Sequence, residues 1–254
     1  MLASYISGEI DLITVLGPTA SGKTKYAVRL ARQIAAMLPS EYTGVEIISA
    51  DSRQIFRGMD IGTGKDLCEY GDIPYHLIDI LPAGAHYNVF EFKRDFISAW
   101  NDIRSRRAIP ILCGGTGLYI NAVTAGYDFS GSHPLSATRE DVPASTDGPR
   151  STFFIGTLVS REVRNARIDA RLDARLQEGM VEEIKGLLDS GVPAENLIAY
   201  GLEYKFVTQY VLGELDYDRM RLQLATAIHQ FAKRQMTWFR GMERSGVRIH
   251  WVEV

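Results

Sequence analysis

Four short apolar runs recur along the first half of the chain, each bounded by Gly, Pro or Asp. They cover residues 12–16, 45–48, 76–80 and 109–113. Continuous apolar runs of this length are typical of strands that are buried on both faces of a parallel sheet. We therefore predict four parallel strands.

Segments with helical periodicity separate these runs. Residues 25–37 place Tyr26, Leu30 and Ile34 on one face, and residues 89–103 repeat the pattern with larger aromatic side chains. Strands that alternate with helices predict an α/β protein with a doubly wound parallel sheet. Ligands are expected at the carboxyl ends of its strands.

The second half of the chain has a different pattern. A stretch rich in Ser, Pro, Asp, Gly and Thr, residues 127–151, predicts a flexible loop. A strand at 152–158 and helices at 160–189 and 216–242 should follow, with a small helical unit at 193–212. We therefore divide the chain into three parts: an α/β core at 1–126, the loop at 127–151, and a C-terminal strand with helices that completes the core at 152–254.

Composition and charge narrow the class of protein. The 254 residues are 46% hydrophobic and 23% charged, which suits a globular chain with a large core. The net charge of −3 argues against coating nucleic acid by bulk charge, so any RNA contact must come from local basic patches. The two cysteines and five histidines match no metal spacing, and His76 is expected to be a hydrogen-bonded structural residue.

The cysteines and the N-terminal segment indicate the compartment. Two cysteines far apart in sequence, Cys68 and Cys113, favour a reducing compartment. The first apolar run, with Glu9 and Asp11 directly before it, is too short and too acidic in its surroundings for a signal peptide or membrane span. We expect a cytoplasmic monomer with no membrane partner.

A phosphate-binding loop follows the first predicted strand. Residues 17–24 have the sequence G-P-T-A-S-G-K-T, which fits the pattern G-x-x-x-x-G-K-[ST] between a strand and a helix. Glycines in such a loop let backbone N–H groups point at phosphate oxygens, and the helix N-terminus adds partial positive charge. Lys23 should bridge the terminal phosphates and Thr24 should bind Mg²⁺. With this loop, the predicted α/β sheet is P-loop NTPase-like. The loop alone leaves open whether the ligand is a nucleoside triphosphate or another diphosphate.

Three further motifs follow in order. Residues 49–65 have the sequence S-A-D-S-R-Q-I-F-R-G-M-D-I-G-T-G-K, residues 114–119 have G-G-T-G-L-Y, and residues 232–238 have A-K-R-Q-M-T-W. Together with the phosphate loop, they closely resemble the tRNA dimethylallyltransferase family. The resemblance implies transfer of a dimethylallyl group from dimethylallyl diphosphate to the N6 amine of an adenine, adenosine 37 of tRNA.

The resemblance also implies roles for individual residues. Asp51 matches the carboxylate that faces the adenine amine, Arg167 matches an arginine that holds the diphosphate, and Thr24 joins them as a catalytic residue. The expected diphosphate contacts are Gly17, Thr19, Ala20, Ser21, Gly22, Lys23 and Thr24. The expected acceptor contacts are Ser52, Gln54, Thr116 and Gln235.

Periodicity leaves two questions open. Arg164, Arg167, Arg171 and Arg175 recur on one helical face, so Arg171 and Arg175 are either ligands or members of a solvated, ion-paired helix. Because only Arg167 matches the family motif, Arg167→Ala should weaken donor use and Arg175→Ala should matter little. Gln235 lies on an otherwise apolar face, so it should either complete a buried network or contact substrate.

The chain departs from the family pattern in two places. Only the loop at 127–151 stands where longer relatives carry a helical insertion, and Glu203 replaces a family cation. Two clusters of Lys and Arg, at residues 93–107 and 233–248, remain for RNA phosphates. A free adenine nucleotide (AMP, ADP or ATP) as the acceptor is therefore the first alternative, and a P-loop small-molecule kinase is the second.

Overall fold

In the described part of the chain, six parallel strands form the central sheet. The computed structural model describes residues 1–124 and 148–254. Its strands are β1 Leu12–Leu16, β2 Gly44–Ser49, β3 Phe56–Arg57, β4 Tyr75–His76, β5 Leu81–Pro82, β6 Ala108–Gly114, β7 Thr152–Leu158 and β8 Ile249–Glu253. The main sheet has the order β4-β2-β6-β1-β7-β8, while β3 and β5 pair separately. The predicted parallel α/β sheet is confirmed.

Helices cover both faces of this sheet. They are α1 Leu2–Ile6, α2 Lys23–Ala35, α3 Val89–Ser105, α4 Gly117–Thr124, α5 Arg161–Glu178, α6 Met180–Asp189, α7 Ala194–Tyr200, α8 Leu202–Val211 and α9 Tyr217–Arg244. Ile13 of β1 belongs to a buried cluster with Ile34 of α2, whereas Leu12 belongs to a second cluster with Phe92 of α3. Because alternate residues of a strand point to opposite faces, the sheet is doubly wound. None of the helices that the structure describes combines the length and apolar character needed to span a bilayer.

Local signals set where the long helices begin. The Ser160 hydroxyl accepts the N–H of Val163 at 3.2 Å at the start of α5, and the Asp216 carboxylate accepts the N–H of Arg219 at 2.8 Å at the start of α9. Each side chain satisfies a backbone donor that has no partner within its helix. Both predicted helix starts are therefore right to within one residue.

Two predicted elements differ from the structure. The strand expected at 76–80 ends at His76, because Leu77 (φ 60°) and Asp79 (φ 57°) adopt left-handed conformations that interrupt the extended chain. The Nε2–H of His76 donates to the Glu46 carboxylate at 2.6 Å, as expected of a structural histidine. The helix expected at 160–189 is broken at Gly179 (φ 104°), which ends α5 and begins α6.

Two elements of the structure were not predicted, and one predicted segment lies mostly outside the described residues. The short helix α1 and the edge strand β8 were not predicted. Most of the loop expected at 127–151 lies outside the described residues, and only 148–151 can be placed before β7. β7 and β8 join the same sheet as β1, so the C-terminal part contributes directly to the core around the phosphate loop.

Candidate active site

The phosphate loop connects the middle of the sheet to helix α2. Ala20 (φ 60°) and Gly22 (φ 77°) take left-handed conformations in this loop, a geometry that turns successive N–H groups toward one centre. The buried Ser21 hydroxyl shares a hydrogen bond of 2.7 Å with Thr157 of β7, and a Cβ on Gly17 would overlap the same hydroxyl groups. Ser21 and Gly17 thus anchor the loop to the sheet.

The remaining predicted diphosphate residues line a cavity of about 660 Å³ at the carboxyl ends of the strands. They are Thr19, Ala20, Gly22, Lys23 and Thr24. Among the described residues, eight Lys or Arg side chains line this cavity against four Asp or Glu: Lys23, Lys25, Arg29, Arg53, Lys65, Arg167, Arg171 and Arg175, against Asp51, Asp66, Glu69 and Glu203. Such an excess of positive charge suits a multiply charged anion.

Asp51 and Lys23 lie in the same cavity although they come from different strand ends. Burial lowers the pKa of Lys23, and the negative charge of Asp51 opposes that shift. One carboxylate oxygen of Asp51 accepts the N–H of Arg53 at 3.0 Å, which fixes the carboxylate just beyond β2. The carboxylate is therefore held next to the place where a phosphate-bearing ligand would bind.

The predicted acceptor residues tie neighbouring loops together. Thr116 accepts the N–H of Ser52 at 3.1 Å, and neither residue lines the cavity. Gln54 does line it, accepting from Ser49 at 3.2 Å and donating to the Gly64 carbonyl at 3.4 Å. The loops after β2 and β6 are thus held in fixed relation around the cavity.

Gln235 joins the C-terminal motif to the phosphate loop. Its side-chain oxygen accepts the N–H of Thr19 at 2.8 Å, and its side-chain nitrogen donates to the Gly115 carbonyl at 2.9 Å. Gln235 is buried on helix α9 and also borders the cavity. It therefore completes a buried network, the first of the two roles expected from its position on an apolar face.

A buried lysine, Lys65, and a partly buried glutamate, Glu183, shape the glycine-rich loop that follows Asp51. Lys65 donates to the Phe56 carbonyl at 2.6 Å and also binds the carboxylates of Asp60 and Asp79. On the other side, the Glu183 carboxylate accepts the N–H groups of residues 60–62 at 2.7–3.1 Å. These contacts hold the Gly64 side of the cavity wall in place. The sequence pattern did not indicate that Glu183 would bind this loop.

The arginines of helix α5 lie in three different environments. Arg167 is exposed and lines the cavity near Gly22. Arg171 forms an ion pair with Asp66 and is partly exposed. Arg175 is buried, so the interpretation of Arg175 as a solvated residue is wrong. Burial and the neighbouring charge of Arg171 lower the pKa of Arg175 to about 10, which leaves it protonated at neutral pH.

An ion pair in the cavity wall was missed by the sequence pattern. Arg53 donates to Glu203 at 2.6 Å, with side chains only 17% and 10% exposed. The Arg53 guanidinium also lies 5.2 Å from the ring centre of Phe231. Arg53 could have been found as a member of the Asp51 motif, but nothing in the sequence links it to Glu203, which lies 150 positions away. Glu203, which replaces a family cation, thus balances a buried cation in this chain.

The fold and the cavity together define a class of protein. A parallel sheet with a phosphate loop after its central strand β1, and a strongly cationic cavity at the strand ends, are features of a P-loop protein that binds a phosphorylated substrate. The Asp51 carboxylate in the same cavity adds a group that can accept a proton.

Comparison with known proteins identifies the family. The model of the IPP transferase family matches residues 54–150 and 130–242, and the chain belongs to this family. It is 49% identical to tRNA dimethylallyltransferase 1 of Porphyromonas gingivalis, over 95% of this chain and 93% of that protein. It is 45% identical to tRNA dimethylallyltransferase 1 of Parabacteroides distasonis, over 96% of this chain and 92% of that protein.

A solved structure supports the same conclusion. The tRNA isopentenylpyrophosphate transferase of Bacillus halodurans superposes with a TM-score of 0.78 at 28% identity, covering 96% of this chain and 89% of that one. The P. gingivalis alignment runs over 291 positions, which exceeds the 254 residues of this chain. That relative therefore carries residues within the aligned region that this chain lacks.

Proposed function

We propose that this protein transfers a dimethylallyl group from dimethylallyl diphosphate to the N6 amine of an adenine in tRNA. The observation that carries the proposal is the single cavity shared by the phosphate loop, Asp51 and Arg167. The names of the relatives favour tRNA over a free adenine nucleotide as the acceptor. They also favour a prenyl donor over the phosphate transfer of a small-molecule kinase.

The residues of the cavity support a direct displacement. The adenine nitrogen attacks the allylic carbon, the bond from that carbon to the diphosphate oxygen breaks, and pyrophosphate leaves with the bonding electrons. Lys23 and Arg167 stabilise the negative charge that grows on pyrophosphate, an effect that is often the largest catalytic term. Asp51 accepts a hydrogen bond from the amine and then its proton.

The donor set in the cavity fits Mg²⁺ as part of this proposal. Mg²⁺ is bound in proteins by one or two oxygen ligands together with substrate phosphates and water. The Thr24 hydroxyl and the Asp51 carboxylate both line the cavity, so Thr24 would hold the ion beside the diphosphate. The ion would supply further neutralisation of the departing pyrophosphate.

A cytoplasmic location and a monomeric state also belong to the proposal. Cys68 and Cys113 are both free thiols, which suits a reducing compartment. Light scattering on the purified protein would test the monomer, and a dimer mass would contradict it.

The acceptor can be tested directly. We expect labelled dimethylallyl diphosphate, supplied with magnesium, to label bulk unmodified tRNA and to leave AMP unlabelled. Label in AMP alone would identify a nucleotide prenyltransferase. Rapid phosphate transfer from ATP to a small acceptor, with no prenyl product, would instead contradict the proposal in favour of a kinase.

We expect tRNA binding to fall steeply with salt. Lys233, Arg234, Arg240, Arg244 and Arg248 are exposed and, within the described part of the chain, form no ion pair with a carboxylate. Five phosphate contacts would reduce affinity by about two to three orders of magnitude between roughly 50 and 200 mM salt.

Paired substitutions make this test specific. Replacing both Arg240 and Arg244 with Gln should reduce the slope of log affinity against log salt by about 2. Replacing Arg32, which lies outside both basic clusters and is paired with Asp72 at 2.9 Å, should leave the slope unchanged. Tight binding that persists at high salt would mean that contacts other than these hold the RNA.

A further inference from the structure

The guanidinium of Arg175 is a buried cation with unused hydrogen-bonding capacity. Its side chain is 11% exposed, and its Nη2 atom has no hydrogen-bond partner among the described residues. An arginine carries five N–H donors, and near neutral pH it does not lose a proton. The missing hydrogen-bond acceptor therefore cannot be compensated by deprotonation. A group of this kind is normally paired or bonded when it is buried.

The surrounding charges do not compensate Arg175 fully. Asp66 approaches to 3.7 Å, but its carboxylate forms the closer contact with Arg171. Glu203 is also nearby, yet its carboxylate bonds Arg53 at 2.6 Å. Asp66 and Glu203 therefore each form their shortest contact with an arginine other than Arg175.

Arg175 lies close to the phosphate loop. Arg175 lines the main cavity together with Lys23 and Arg167. A second, small cavity of about 20 Å³ lies between Arg175 and the loop residues Thr19 and Ala20. The unbonded guanidinium therefore lies beside the loop that holds phosphate groups.

The glycine-rich motif leaves room for this side chain. Gly64 takes a left-handed conformation at φ 65°, and a Cβ on it would overlap the Arg175 Nη2 atom. Any larger residue at this position would therefore displace the guanidinium from the cavity wall. The close approach gives Gly64 a role in placing Arg175 as well as in turning the chain.

We propose that Arg175 is an additional ligand of the donor's diphosphate, a role that rests on the proposed function of the cavity. This proposal replaces the sequence-based expectation that Arg175→Ala should matter little. Without the donor, Arg175 shares Asp66 with Arg171. With the donor bound, a phosphate oxygen accepts a hydrogen bond from the Arg175 guanidinium. This bond offsets part of the free energy lost by burying the charge, and it thereby favours donor binding. A guanidinium suits phosphate because its N–H groups match the spacing of two oxygens.

Calorimetric titration of the full chain with inorganic pyrophosphate and magnesium chloride tests this inference without any acceptor. We expect Arg175→Met to bind pyrophosphate about 10- to 100-fold more weakly, as for the loss of a charge-assisted hydrogen bond. Arg167→Met should also weaken binding. Arg161→Met, an exposed position on the same helix outside the cavity, should bind like the parent protein.

Thermal unfolding separates a ligand from a structural arginine. We expect the melting temperature of Arg175→Met without pyrophosphate to equal or exceed that of the parent, because replacing an uncompensated buried charge with an apolar side chain of similar length is neutral or stabilising. Arg175→Lys keeps the positive charge but loses the planar set of N–H donors, so it should bind pyrophosphate with intermediate affinity. This variant provides the comparison if Arg175→Met fails to fold.

Three outcomes would overturn the inference, and they differ from failure of the proposed function. Unchanged pyrophosphate affinity in both Arg175 variants would exclude a diphosphate ligand. A lower melting temperature with unchanged affinity would identify a structural residue, and a loss of tRNA affinity alone would identify an RNA contact. Absence of pyrophosphate binding by the parent protein would instead reject the diphosphate site itself.

Discussion

Replacing Asp51 with Asn should lower the turnover of prenyl transfer by about 10²- to 10⁴-fold, the usual contribution of a general base. Asn keeps the size of the side chain and can still accept the N–H of Arg53, so the loop after β2 should remain in place. It loses the basic oxygen that would take the proton of the adenine amine. Steady-state kinetics should therefore show a fall in kcat with little change in donor binding.

A role of Asp51 in holding magnesium gives a different result. In that case the affinity for the donor should fall, and added magnesium should partly restore the rate. Glu69→Gln is a suitable control, because Glu69 lines the same cavity and pairs with the exposed Lys25 at 3.5 Å. If Asp51→Asn works at nearly the parent rate under saturating magnesium, the amine must lose its proton to another group.

Glu203→Gln should lower the free energy of unfolding by about 3–5 kcal/mol, the cost of breaking a buried ion pair by removing one partner. The substitution leaves the Arg53 guanidinium buried without its anion, and it also removes a negative charge near Arg175. Chemical denaturation monitored by circular dichroism would measure the change.

An exposed ion pair on helix α6 provides the matched control. Lys185 and Asp189 lie 3.8 Å apart with side chains about two-thirds exposed, so Asp189→Asn should cost at most about 1 kcal/mol. The double variant Arg53→Met, Glu203→Leu should regain most of the stability lost by Glu203→Gln, because neither charge then remains buried. Similar losses from Glu203→Gln and Asp189→Asn would mean that the buried pair is not coupled as its geometry suggests.

The sequence predicted the sheet well where strands are buried on both faces. The expected bounds of β1 and β7 agree with the structure. For β1 the reason is that a strand buried along its whole length is read as a nearly continuous apolar run. The prediction failed at residues 76–80, where the apolar composition persists but left-handed residues redirect the chain. The edge strand β8 was missed because an edge position demands less continuous burial.

The chemistry of the candidate site was also predicted in part. The phosphate loop and Asp51 belong to short, contiguous motifs in which the order of residues reflects the local geometry that phosphate binding requires. Gln235 stood out because an amide on an apolar helix face needs a partner. Its two partners, Thr19 and Gly115, could be identified only from the structure.

By itself, then, the sequence determined the fold class, the phosphate loop and the residues of the motifs, since each depends on neighbours within a few positions. Only the tertiary structure decided which charges are buried together. The pairing of Arg53 with Glu203, and the lack of a hydrogen-bond partner for the Arg175 Nη2 atom among the described residues, depend on helices α5 and α8 meeting the loop after β2. Helical periodicity placed Arg167 and Arg175 on one face, but the energy of each charge depends on the water, carboxylates and backbone around it, which vary along that face.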